Sequence, residues 1–259
     1  MPIPTVAYGL KPRNYTTHPI GHYASIPPLT ALPLMSDADI EAAILRKNAD
    51  HSWLSDLRMV GMFGAMVPSR DQNGKGFCWA HSSVSANLLI RARDNQPYED
   101  LSAYAIACII KGYQDEGGFG AESVNWQVAN GCPTSKTWPQ QSMSRSNDNA
   151  AMRAEAALYK PTGVWADIEP NNDRAHATCL CNDIPVVFDS NQWSHSICSC
   201  RLISWGPNGS RFKHQIWNSW ADDWTGPGTS EPGMGILPSK DSGASGDGLV
   251  ALIATRVSS

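Results

Sequence analysis

Between Cys78 and Arg93 the apolar residues Val84, Leu88 and Leu89 recur at helical spacing among good helix formers, which predicts a helix that opens on the cysteine. Similar patterns predict helices over Leu101–Lys111, Ala121–Ala129, Asn147–Lys160 and Asn171–Cys181, the first two separated by the polar loop Asp115–Gly120. The pattern then changes. Ile184–Phe188, Ser196–Ser204 and Phe212–Ser219 are short apolar runs of strand type, with the turn Gly206-Pro207-Asn208-Gly209 between the latter two. Gly226–Gly248, rich in Gly, Pro, Ser and Thr, reads mostly as loop, and Leu249–Val257 as a closing strand. Helices first and antiparallel strands later predict an α+β fold with two lobes and a cleft between them.

The first 35 residues read differently. They carry Pro2, Pro4, Pro12, Pro19, Pro27, Pro28 and Pro33 but only two charges, Lys11 and Arg13. Proline fixes φ and removes backbone donors, so this stretch is expected to be an extended arm. A short helix follows, with Ser36 as N-cap, Asp39 three residues on, and Ile40, Ala43 and Ile44 on one face. The expected division is an arm over 1–52 and a body over 53–259. Its helical lobe would span about 74–165, and its β lobe about 166–259 plus 53–73.

Composition narrows the function. The chain has 259 residues, 42% of them hydrophobic and 17% charged, with net charge −4. Nothing in that balance recommends nucleic acid or an anionic membrane surface as partner. No apolar run approaches the ~18 residues of a membrane span. The start, MPIPTVAYGLKPRNY, lacks the basic opening and apolar core of a secretory signal. Seven cysteines, an odd count without a signal, read as reduced thiols in a cytoplasmic or particle-associated protein. His176-x-x-Cys179-x-Cys181 and His195-x-x-Cys198-x-Cys200 invite a zinc reading, which geometry opposes. Two helical positions such as Cys179 and Cys181 point about 200° apart. On a strand, His195 faces away from Cys198 and Cys200. No metal is expected; His176 is expected at the surface or at a cap.

Three short signals carry chemistry. Gln72 precedes Cys78 by six residues, within DQNGKGFCWAHSS. Trp193-Ser194-His195-Ser196 heads a strand. Ile216-Trp217-Asn218-Ser219-Trp220 follows, with Trp224 beyond. Acyl transfer by a thiolate needs such a set. A helix N-terminus and a neighbouring imidazolium favour the thiolate. An amide oxygen can hold the imidazole in one orientation. A backbone N–H and a side-chain amide can receive the oxyanion. This chemistry calls for no cofactor.

In chain order over roughly residues 53–225, these residues resemble the papain-family cysteine peptidases. The resemblance implies a papain-like two-lobed fold, with Cys78 as nucleophile, His195 as its partner, Asn218 orienting the histidine, and Gln72 in the oxyanion hole. It implies that Trp79 belongs to the nucleophile motif and that Trp220 and Trp224 shield the His–Asn pair. Gly117 and Gly118 would bind extended polypeptide substrate, with Phe119 and Trp193 flanking the S2 pocket. Leu101-Ser102 and Pro185-Val186-Val187 fit the same order. The chain also departs from the family. Lys75 stands at a disulfide position, and Ser194 replaces the polar Asn or Asp that often precedes the histidine. Phe77 replaces a small residue and is expected to crowd the cleft. Only a short segment separates Asp189 from His195, so the β lobe is trimmed, and the usual helical prodomain is missing.

Two functions follow. One is a cysteine endopeptidase working through an acyl-enzyme, which calls for an open cleft at Cys78. The alternative is a structural or binding protein of a larger assembly, such as a virus particle, that retains the fold. That reading predicts a cleft filled by Phe77 or by the arm, with the arm binding neighbouring subunits.

Overall fold

A computed structural model describes residues 9–30, 32–60, 65–161, 164–191, 193–238 and 247–252. Seven α-helices lie among them: α1 (Asp37–Asp50), α2 (Leu54–Val60), α3 (Cys78–Arg93), α4 (Ala103–Ile110), α5 (Gly120–Asn130), α6 (Ala150–Leu158) and α7 (Asp173–Cys181). α1 starts as its sequence predicts: the Ser36 hydroxyl accepts the Asp39 amide at 3.2 Å and donates to the Asp39 carboxylate at 2.6 Å. The α6 and α7 caps are Asn149 and Asn172, whose side chains accept the Met152 and Ala175 amides. Both helices therefore begin later than the polar run suggested, because the asparagine nearest the helix does the capping. α2 was not expected. It is a seven-residue helix, opened by an Asp56 carboxylate that accepts the Trp53 amide.

Six strands form one antiparallel sheet: β1 (Val164–Asp167), β2 (Val186–Ser190), β3 (His195–Ser204), β4 (Lys213–Trp217), β5 (Met234–Pro238) and β6 (Asp247–Leu252). Their order across the sheet is β1-β6-β2-β3-β4-β5. β5 corrects the expectation of loop within Gly226–Gly248. Its Met234 and Leu237 are buried, and it pairs with β4 from Met234↔Trp217 to Pro238↔Lys213. Five residues between Gly233 and a proline carry too little alternation to be read as a strand. β1 was likewise unpredicted, and only four residues long. Residues 253–257 of the predicted closing strand lie outside the described residues.

α3 is buried almost all round, from Cys78 to Arg91, and runs through the middle of the molecule. One face of the sheet, with Val187, Cys198 and Cys200, joins the core built on α3, α4 and α5. On the other face α1 and α7 pack Ile40, Ala43, Leu180 and Cys179 against Ala166, Val186 and Leu202. The result is an α+β molecule with a helical lobe and an antiparallel β lobe, and the start of α3 lies where they meet. Among the described residues no helix is long and apolar enough to cross a membrane.

His176 corrects its expected surface place. It is buried, its Nε2 lies 2.9 Å from the Ser199 hydroxyl, and that hydroxyl is 2.7 Å from Nδ1 of the buried His214. Its i, i+3 and i+4 neighbours on α7 face the sheet too, so the amphipathic face outweighs its polarity.

Candidate active site

Cys78 is the first residue of α3, so its own amide has no intrahelical acceptor and the positive end of a 16-residue helix lies at its side chain. One turn on, the Ser82 hydroxyl meets the Ser196 hydroxyl at 2.6 Å and docks α3 onto the head of β3. That contact brings the Cys78 thiol against the backbone N–H of Ser196, the residue after His195. His195 opens β3, and its Nε2 lies 2.7 Å from the side-chain oxygen of Asn218, at the end of β4. Trp220 stacks on the imidazole, with ring centres 4.6 Å apart and planes 28° apart, and Trp224 meets Trp220 edge-on. The His–Asn hydrogen bond therefore lies under an aromatic cover.

Gln72 is anchored to the same corner. Its amide donates to the Ser219 carbonyl at 3.0 Å, and its side-chain oxygen accepts the Ser219 hydroxyl at 2.7 Å. One side-chain N–H goes to the Lys75 carbonyl at 2.7 Å, and Tyr104 donates its hydroxyl to the Gln72 carbonyl. Phe77 does not crowd the cleft. It is buried edge-on against Tyr104, 5.1 Å between centres, on the helical side. His81 is also buried, its ring edge-on to Tyr104, and burial holds it well below the ordinary histidine range.

Trp79 has a role that its spacing alone did not reveal. Its indole N–H donates to the Gly76 carbonyl at 2.9 Å, and its ring lies under Gly118, where a Cβ would fall 2.7 Å from it. Gly118 must therefore be glycine for contact, not for conformation. Phe119 is nearly buried, and the ring of His18 lies edge-on to it at 5.5 Å. Trp193 packs with Phe188, Ile197, Ile216 and Leu237 in a small core of the β lobe.

The cleft is closed by the chain's own arm. Gly118 donates its amide to the Gly9 carbonyl at 3.0 Å and accepts the Lys11 amide at 2.9 Å, a parallel bridge. Leu10 donates to the Ser194 carbonyl at 3.3 Å, so the same residues touch both lobes. Gly9 has φ +84°, and a Cβ there would fall 2.3 Å from the Gly76 backbone. A Cβ on Gly117 would fall 2.4 Å from the Gly9 carbonyl oxygen. Further on, Arg13 makes two parallel hydrogen bonds to Asp167, 2.9 and 2.7 Å, with both side chains buried. Its remaining donors reach the His18 and Pro19 carbonyls, and the Gly21 amide also goes to Asp167. The arm then pairs alongside β1: Leu29 donates to the Asp167 carbonyl and the Asp167 amide to that of Pro27.

With the arm in place Cys78 and His195 are 0% exposed. Burial pushes the Cys78 thiol well above its ordinary range, the Ser196 amide opposes that shift, and the negative charge of Asp189 adds to it. In this closed state the thiol is held protonated. Gly9, Arg13 and Asp167 escaped the sequence reading; its one usable signal was that Arg13 is among the only two charges in a proline-rich arm.

No family model and no curated protein matches the sequence. Solved structures do. Xylellain, a cysteine protease from Xylella fastidiosa, is 17% identical with TM-score 0.62, over 96% of this chain and 97% of that one. The recombinant stem bromelain precursor is 17% identical with TM-score 0.59, over 97% and 85%. Bromelain from Ananas comosus in complex with the E64 inhibitor is 20% identical with TM-score 0.55, over 74% and 96%. A digestive procathepsin L of the Tenebrio molitor larval midgut is 16% identical with TM-score 0.56, and this chain covers 66% of its length. The chain has a divergent papain-like fold.

Proposed function

We propose that the chain is a cysteine endopeptidase held latent by its own N-terminal arm. What carries the reading is one arrangement: the thiol at the mouth of α3 against the Ser196 amide, with the preceding His195 held by Asn218 at 2.7 Å. Once the arm leaves, water and the α3 dipole favour the Cys78 thiolate beside the His195 imidazolium. The thiolate attacks a peptide carbonyl carbon, and the oxyanion is received by the Cys78 amide and the free N–H of Gln72. As the C–N bond breaks, His195 gives its proton to the leaving amine. It then takes one from the water that hydrolyses the thioester, which restores the thiol. Gly118, whose amide and carbonyl hold Gly9 and Lys11, would hold the substrate backbone in their place.

The bromelain comparisons fit a latent form. The precursor aligns with 97% of this chain, the form without that label with 74%. All seven cysteines are buried and unpaired, which suits a reducing compartment. Incubating the chain with an epoxysuccinyl reagent after the arm is unseated should give one adduct on Cys78 and hydrolysis of unfolded protein substrates. A Cys78 that stays unreactive in a folded, arm-released protein would contradict the reading.

The closed cleft also favours a second reading, a scaffold of a larger assembly, which predicts this same filling. The two differ in what releases the arm: the scaffold reading has subunits bound along residues 9–50 and no turnover after release.

A further inference from the structure

The helix α5 begins without a cap of its own. Its N-cap position is Phe119, whose side chain offers no acceptor, yet the first amide, that of Gly120, is buried and must be satisfied. The acceptor comes from the other lobe. Asp189, on β2 and 0% exposed, accepts the Gly120 amide on Oδ2 at 2.8 Å. Gly120 permits the approach, since a Cβ there would fall 2.5 Å from Val187 Cγ1 and within 3.4 Å of both Asp189 oxygens. Asp189 pairs in register with Ser196, the residue whose amide touches Cys78. Two residues before Gly120 stands Gly118, which holds the extended chain by both its amide and its carbonyl.

We propose that Asp189 is a positioning residue: it caps α5 across the cleft and thereby fixes Gly118, the backbone that grips an extended chain, relative to Cys78 and β3. The carboxylate at the positive end of an 11-residue helix is well matched in charge, so the tie suits a site that must hold its width. Its negative charge also disfavours the neighbouring thiolate, so Asp189 is not placed there to activate Cys78. What it supplies is geometry. The role extends the peptidase reading to how substrate is held, but its grip is already visible on the arm, so it can be tested without turnover.

Residue-resolved hydrogen exchange on the full chain is the test, comparing wild type, Asp189→Ala and Asp189→Asn. Loss of the cap in Asp189→Ala should speed exchange of the Gly120, Gly118 and Lys11 amides about fivefold to tenfold, the change that loss of a helix cap brings. The Gly21 amide, bonded to Asp167 at the other end of the arm, should not change. Asn keeps an acceptor oxygen at the same reach and should stay within about twofold of wild type. Should Asp189→Ala not fold, Asp189→Ser, which falls short of Gly120, takes its place. Unchanged exchange at Gly118 and Lys11, or an equal rise at Gly21, would overturn the proposal. If arm-released variants hydrolyse peptides, Asp189→Ala should raise KM more than it lowers kcat; if none does, the peptidase reading fails and the exchange result still decides this one.

Discussion

Gly9 and Gly76 meet backbone to backbone, with room for no Cβ between them. Gly76 lies two residues before the candidate nucleophile, so the arm is seated against the loop that delivers Cys78 to the head of α3. Gly9→Val should unseat it. The positive φ costs about 1–2 kcal/mol for a side chain, and the overlap adds about 1–3 kcal/mol. Together these approach 3 kcal/mol, roughly two powers of ten in the open population. Alkylation of Cys78 by iodoacetamide should rise about a hundredfold, while far-UV circular dichroism stays as in wild type. An unchanged alkylation rate would mean that something other than the arm covers the thiol.

Arg13 and Asp167 form the second anchor, and this one is a buried charge pair. Removing one partner strands the other. Arg13→Ala should lower unfolding free energy by about 3–5 kcal/mol. The double variant Arg13→Met/Asp167→Leu should recover much of that, because a well-packed apolar pair often replaces a buried ion pair without loss. The Gly21 amide, left without its acceptor, sets the limit of recovery. Urea titrations of the three proteins check it.

Asn218 orients His195 through one short hydrogen bond under Trp220. In the Gly9→Val background, Asn218→Ala should slow Cys78 alkylation at pH 7 about tenfold to a hundredfold. That is the kinetic equivalent of the roughly 1.5–3 kcal/mol of a hydrogen bond to a charged group. Trp220→Ala should act in the same direction but less, by admitting water to the bond. An Asn218→Ala rate equal to its background would remove the asparagine from the candidate set.

His176 makes the β lobe sensitive to acid. Burial lowers it to about 3 in the folded chain, against ~6.5 when unfolded. A depressed histidine is neutral in the folded state while the unfolded chain takes up a proton, so stability falls as pH drops below 6.5 and keeps falling toward 3. His214, joined to it through Ser199 and also held low by burial, acts in the same sense. Urea midpoints at pH 7, 5.5 and 4 should decline by roughly 1.4 kcal/mol per pH unit for each histidine, and His176→Gln should flatten the curve.

What could be read from sequence was local or in chain order. The α3 helix over Cys78–Arg93 carries its own periodicity, and Ser36 carries its own cap. The order Gln72, Cys78, His195, Asn218 needs no tertiary knowledge. What escaped depends on contacts between distant segments. β5 is a strand because β4 lies beside it; within its own glycine-rich stretch it has no pattern. Phe77 was expected in the cleft because its neighbour is the cysteine, yet adjacent helix positions point about 100° apart, and Tyr104 received it. Nothing in YGLKPR announces that Gly9 packs on Gly76 or that Arg13 meets Asp167 more than 150 residues away. His176 looked polar and external because the buried Ser199–His214 partners that satisfy it lie on other strands.

The central claim is that Cys78 is a nucleophile covered by the arm. The direct measurement is epoxysuccinyl labelling followed by intact mass and peptide mapping, on wild type, Gly9→Val, and Gly9→Val with His195→Ala. The account predicts slow labelling of wild type, one stoichiometric adduct on Cys78 in Gly9→Val, and its loss without His195. A Gly9→Val protein that is folded, with its arm released in hydrogen exchange, and whose Cys78 reacts only after denaturation would contradict it.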